Sequence, residues 1–163
     1  ADWCRSWTYR SCESISGRVW LQRWVYILNH RWSAELCGDQ HSSEKVLQKF
    51  ILEDIEYFLE ELGSGFTFIK SEFPIKLGSR YNYIDLLLFN YEYNCFVVVE
   101  LKITELKKEH IGQIQVYMNY IDRNLKKITH DKTIGIIICR KNNEYVIEYC
   151  SDERIISREY ILI

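Results

Sequence analysis

Apolar residues along this chain fall into two kinds of pattern, stripes at helical spacing and short, nearly continuous runs, and their order predicts the fold. From Ser42/Ser43, which read as N-caps, to Gly63, a C′ residue, Leu47, Ile51, Ile55, Phe58 and Leu62 form one stripe, flanked by Phe50 and Leu59. Phe66 to Leu77 reads as a strand that Pro74, the single proline, places at a sheet edge or a bulge. Gly78-Ser79 turns the chain into a strand over Tyr81 to Phe89, and Cys95 to Leu101 is its hairpin partner. Between Lys107 and Asn124, Ile111, Ile114, Met118 and Ile121, with Leu125 just beyond, mark a second helix, flanked by Gln113 and Gln115. Thr133 to Cys139 is a buried strand, Asn142-Asn143 a turn, and Tyr145 to Tyr149 a last strand. A strand, crossover helix and parallel strand joined to an antiparallel hairpin make an α/β fold, a mixed sheet flanked by helices in the order αβββαββ.

Residues 1 to 40 depart from this scheme. All five Trp (3, 7, 20, 24, 32) lie there, its bases are all Arg, and no Lys occurs before Lys45. Val19 to Leu36 reads as an amphipathic helix, with Trp20, Trp24, Ile27, Leu28 and Trp32 at helical spacing. Three roles fit it: a helix packed on the domain behind it, a contact with a partner or in a homodimer, or an Arg/Trp surface for nucleic acid backbone. The chain therefore divides into a Trp/Arg-rich helical arm, 1–40, and a domain, 41–163. A homodimer through the arm is the assembly expected, because exposed Trp would form an apolar patch.

Charges inside the apolar runs supply the candidate chemistry. On Cys95–Leu101 and its continuation, Glu100 and Lys102 share one strand face. Charge at the end of a strand buried on both faces costs several kcal/mol unless something uses it. If the hairpin brings Asp85 beside Glu100, two hard oxygen ligands converge in a way that suits Mg²⁺ or Mn²⁺, and Lys102 could serve an attacking water. The plainer reading is a Glu–Lys salt bridge at a strand end with Asp85 at an edge. On the first helix Glu44 and Asp54 fall at or beside the apolar stripe, where either could reach toward a metal or simply reach water.

Composition narrows the setting. At 163 residues and 47% hydrophobic the chain can bury its own core. A net charge of −2 confines any phosphate affinity to local patches such as Lys70, Lys76, Arg80, Lys107 and Lys108. There is no membrane-length apolar run, and Ala1-Asp2-Trp3-Cys4-Arg5 lacks the basic-then-apolar layout of a secretory signal. The six Cys contain no CxxC pair, and Cys95 and Cys139 lie in apolar runs, as core thiols of a cytoplasmic protein would. His30, His41, His110 and His130 share no ligand spacing.

Taken in order, six blocks resemble the PD-(D/E)xK nuclease superfamily and, within it, the YhcG-type nuclease domains. They are Phe58-Leu59-Glu60-Glu61-Leu62-Gly63 with Gly65 to Phe68, Ile84-Asp85-Leu86, Val97 to Lys102, His110-Ile111-Gly112-Gln113 with Tyr117 and Asp122, Ile134 to Cys139, and Glu148-Tyr149. The resemblance spans about residues 44 to 150. It implies a divalent-metal-dependent nuclease acting on DNA, RNA not being distinguished. It places Asp85, Glu100 and the Leu101 backbone carbonyl on the metal, Lys102 on the water, and Gln113 lining the site. It also implies an acid on the first helix where this chain has Gln48, and a helical domain ahead of the nuclease that residues 1–40 do not read as, so the chain reads as a truncated or remodelled copy. A catalytically idle nuclease fold that binds nucleic acid or protein is the alternative.

Overall fold

In a computed structural model, which describes residues 27–28, 40–150 and 152–162, the domain is three-layered. Its elements are β1 (Ile27–Leu28), α1 (Gln40–Glu53), α2 (Ile55–Leu62), β2 (Phe66–Leu77), β3 (Arg80–Asn90), β4 (Cys95–Leu101), α3 (Lys108–Asn124), β5 (Ile134–Cys139), α4 (Glu144–Cys150), β6 (Ile155–Glu159) and β7 (Ile161–Leu162). The main sheet has the order β2-β3-β4-β5-β6, with β2, β3 and β4 antiparallel and β4, β5 and β6 parallel. The expected β4-α3-β5 crossover is present, and the strand carrying Pro74 is the edge strand.

Both faces of the sheet are covered. Leu86, Leu88, Val97, Val99 and Leu101 pack on one side with Leu47, Ile51, Phe58 and Leu62 of α1 and α2. On the other, Leu87, Val98 and Ile137 pack with Ile111, Ile114, Met118 and Ile121 of α3. Two-sided burial explains why β4 and β5 read as continuous apolar runs instead of alternating ones. Gly135 lets α3 approach closely, since a Cβ there would lie 2.7 Å from Met118 Sδ and 2.8 Å from Ile114 Cδ1.

Three expectations are corrected. The helix read from Ser42/Ser43 to Gly63 is two helices: α1 already starts at Gln40, and Asp54, with φ −135° and ψ 59°, interrupts it and caps α2 by accepting from Tyr57 N–H at 3.4 Å. Asp54 thus serves the backbone instead of a metal. An apolar stripe survives the break because both helices turn the same face to the sheet. Asp54→Ala should cost about 1 kcal/mol, the usual value of an N-cap, and lower the midpoint of thermal unfolding by a few degrees, measurable by circular dichroism.

The second correction concerns Tyr145 to Tyr149, which lie in α4 and not in a strand. Asn143 Oδ1 accepts from Tyr145 N–H at 3.1 Å and Val146 N–H at 3.2 Å, an N-cap that the turn reading overlooked. The fifth strand of the sheet is β6, further along. Third, Ile27 and Leu28 form a strand paired in parallel with Ile161 and Leu162, not part of a helix. Pairing with another segment decides their conformation, a contact local periodicity does not report. The rest of the Val19–Leu36 helix and the proposed dimer contact lie outside the described residues.

Cys95 and Cys139 are buried free thiols, as expected. Among the described residues no helix is long and apolar enough to cross a membrane.

Candidate active site

The regular β3–β4 ladder runs from Asn90–Cys95 to Leu86–Val99 and then gives way to side chains. Asp85 N–H donates to Glu100 Oε1 at 3.3 Å, and Leu101 N–H donates to Asp85 Oδ2 at 2.8 Å. Each carboxylate therefore takes a backbone donor of the opposite strand, and this fixes the two acids against each other. Lys102 Nζ stands 3.9 Å from Glu100 Oε2. The strand end holds its direction because Lys102 N–H donates to Ile138 O at 2.7 Å. Asp85, Glu100 and Lys102 are thus brought together, the condition on which the metal reading of their spacing depended.

Burial makes this cluster costly. Glu100 is only 3% exposed, and desolvation together with the Asp85 charge pushes its carboxyl well above the ordinary 4.5. Desolvation also raises Asp85 above 3.8, opposed by the Leu101 amide and the Lys102 ammonium. A hydrogen bond between the two carboxyls raises Glu100 and lowers Asp85, so Glu100 is the weaker acid of the pair. One ammonium does not neutralise two buried carboxylates, and a divalent cation would. The donor set fits one: two hard carboxylates fixed in opposition, with the Leu101 carbonyl on the same strand end. Among the described residues no group of three or more His, Cys, Asp or Glu is placed to hold a metal, so protein donors would share the ion with water or substrate.

Five more residues surround the cluster, of which Glu44 and Gln113 were candidates from the sequence. Gln48, buried at 8% exposure, donates from Nε2 to Asp85 O at 2.9 Å, so the position where an acid was expected positions the Asp85 backbone instead. Glu44, one turn earlier on α1, lies close enough to raise the Asp85 pKa. From α3, Gln113 Nε2 donates to the Tyr117 hydroxyl at 3.0 Å. Burial first, then the Glu100 charge, raises the Tyr117 pKa, so Gln113 and Tyr117 flank the acids as a bonded pair. His110, at the first turn of α3, accepts from Lys107 N–H at Nδ1 (3.1 Å); burial and the Lys102 charge lower its pKa. The signal for these was i, i+4 spacing, Glu44 to Gln48 and Gln113 to Tyr117, which puts each pair on one helix face.

Asp122 belongs elsewhere, accepting from Thr133 N–H at 2.9 Å and from Arg154 Nη1 at 3.3 Å at the far end of α3. Gln115 likewise bonds Asp152, at 3.4 Å. Of the expected basic contacts, Lys107 and Lys108 are exposed where α3 begins, Lys70 is exposed beside a bulge in β2, and Lys76 and Arg80 are exposed at the far end of the β2–β3 hairpin. Lys45 and Lys49 line an open groove of about 350 Å³ between α1 and β2, together with Gln48, Ser71 and Glu72. Glu72, between the Ser71–Leu86 and Phe73–Ile84 pairs, has φ 47°, a left-handed conformation that kinks the edge strand.

Comparisons with known proteins agree with this architecture. YhcG of Escherichia coli (strain K12) is 25% identical over 97 residues, which cover 60% of this chain and 26% of that protein. The chain thus spans about a quarter of that relative's length. The crystal structure of a repair endonuclease from Pyrococcus abyssi superposes with a TM-score of 0.50 at 20% identity, covering 77% of this chain and 49% of that one, a likeness of fold. The family model of the YhcG PDDEXK nuclease domain matches residues 31–161, and the chain belongs to that family.

Proposed function

We propose that the domain hydrolyses phosphodiester bonds in DNA with the help of Mg²⁺ or Mn²⁺. The observation that carries this reading is the reciprocal Asp85–Glu100 clamp, buried beside Lys102 between α1 and α3. Asp85, Glu100 and the Leu101 carbonyl would hold the cation, which would supply electrostatic stabilisation of the charge that builds on phosphorus-bound oxygens. Lys102 is suited to orient the attacking water and to stabilise the hydroxide formed from it, since its side chain is 14% exposed and restrained by Glu100. Gln48 keeps Asp85 in register through its backbone carbonyl. The Gln113 amide and the Tyr117 hydroxyl offer donors on the α3 side, suited to a phosphate oxygen.

Purified protein with Mn²⁺ should nick supercoiled plasmid, and Asp85→Ala or Lys102→Ala should each slow this by at least about a hundred-fold, in the range found when a single transition-state contact is removed. Equal nicking by the wild type and both variants would sink the proposal. An inert wild type that binds DNA but shows no Mn²⁺ uptake by calorimetry would replace the enzyme by a binding module.

A further inference from the structure

Beyond Asp85 the hairpin continues as a two-stranded arm. β4 pairs with β3 only between Leu86 and Asn90, whereas β2 accompanies β3 out to the Leu77–Arg80 pair. One face of this arm is occupied, with Ile75 and Ile84 buried in the α3 core and Phe73 and Leu77 packed against it. Side chains alternate along a strand, so the intervening residues stand on the other face. There Tyr83 pairs across the strands with Pro74, and Tyr81 with Lys76. Tyr81 and Tyr83 are 62% and 57% exposed, and Lys76 Nζ lies 5.8 Å from the centre of the Tyr81 ring. Along an extended strand Tyr83 and Tyr81 stand roughly 7 and 13 Å from Asp85.

Two exposed phenol rings on one face, with the Lys76 ammonium beside one of them and Asp85 further along the same strand, match a particular kind of substrate. Inside an intact duplex the bases are stacked on one another and offer such rings nothing. An unpaired strand exposes base faces, and aromatic side chains with flanking cations hold it with little regard to sequence. The charge is placed accordingly: Lys76 on that face of the arm, and Lys45 and Lys49 in the groove they share with Gln48, which bonds the Asp85 carbonyl. We propose that the outer face of the β2–β3 arm binds an unpaired DNA strand, its bases stacked on Tyr81 and Tyr83 and its phosphates near Lys76. The substrate class is then DNA with a single-stranded tail, flap or gap beside the cleavage point. This rests on the nuclease reading above and names its substrate.

The test measures binding and cleavage separately, with the full chain and three fluorescent DNAs of shared sequence: a single strand, a blunt duplex, and a duplex with a single-stranded tail. By anisotropy in EDTA, the wild type should prefer the first and third to the blunt duplex. Replacing Tyr81 and Tyr83 together by Ala should weaken binding to both by about ten-fold or more, in keeping with the loss of base stacking, and leave the blunt duplex within about two-fold. Replacing both by Phe should restore binding, because the rings remain. With Mn²⁺, cleavage should follow the same preference. Equal affinity for all three DNAs, or an equal loss on all three in the Ala variant, overturns the inference. Selective binding without cleavage of any DNA would overturn the nuclease reading while leaving the arm's role standing; efficient cleavage of blunt duplex, unchanged in the Ala variant, would do the reverse.

Discussion

Replacing Glu100 with Gln should abolish Mn²⁺-supported cleavage and at the same time make the metal-free protein more stable at neutral pH. Both effects follow from one fact, that Glu100 is a buried acid held against a second acid. Its folded-state pKa is raised, so between the ordinary 4.5 and that higher value the native protein binds a proton the unfolded chain has already released. Stability of the wild type therefore falls as pH rises through this window, and it is greatest on the acid side. Asp85, raised for the same first cause, adds a slope of the same sign. Gln has nearly the shape of Glu and does not ionise, so the variant should lose that part of the slope. Each unit of raised pKa is worth about 1.4 kcal/mol, which for a chain of this size means a gain of a few degrees in the melting temperature.

Metal addition should invert the order. Mn²⁺ should raise the melting temperature of the wild type through its affinity for the folded state and leave Glu100→Gln almost unmoved. The measurement is thermal unfolding of both proteins across pH 4 to 8, with EDTA and with Mn²⁺. A wild type that stabilises steadily as pH rises, or a variant less stable than it at pH 7 in EDTA, would show that Glu100 is held for packing and not as a charged site. On the proposed function, a carboxylate that costs folding energy until a cation arrives would follow the usual trade between stability and activity.

What could be read from the chain divides along a physical line. β3, β4, α3 and β5 were legible because each has a periodicity belonging to one kind of element, and because burial on both faces leaves few polar interruptions. The convergence of Asp85 and Glu100 was legible for the same reason, since the strand alternation that places Val97 and Val99 on the α1 side places Glu100 on the other. The errors arose where one side chain, not a pattern, decides the backbone. Asp54 divides a helix whose apolar stripe runs on unbroken, and Asn143 starts a helix in a stretch whose Tyr and Val favour strands. Gln48 was noticed as a departure, but its role depends on a bond to a backbone carbonyl 37 residues away, which no local spacing encodes. The β1–β7 pair is likewise long-range, joining residues near the two ends of the chain.

The largest loss of stability short of opening the central core is expected at Asn90, which is fully buried where the β3–β4 hairpin turns. Its Oδ1 accepts from both Glu92 N–H and Tyr93 N–H at 3.0 Å, and its Nδ2 donates to Ser64 O at 3.0 Å, so one amide ties the turn to the loop leading into β2. Gly65 is shaped to this contact: its φ is +85°, and a Cβ there would lie 2.8 Å from Asn90 Oδ1. Ala at position 90 would strip three hydrogen bonds and leave partly buried amides without acceptors, at a cost of about 2–4 kcal/mol. Asp at 90 is nearly isosteric and keeps the acceptor for both amides, but loses the donor to Ser64 and sets a carboxylate oxygen against a carbonyl. It should therefore fall between wild type and Ala at pH 7 and recover toward wild type as acid protonates it. Urea unfolding of the three proteins at pH 5 and pH 7 checks this ranking. If Asn90→Ala loses less than about 1 kcal/mol, the amide is replaceable by water, and the turn is held by its own backbone instead.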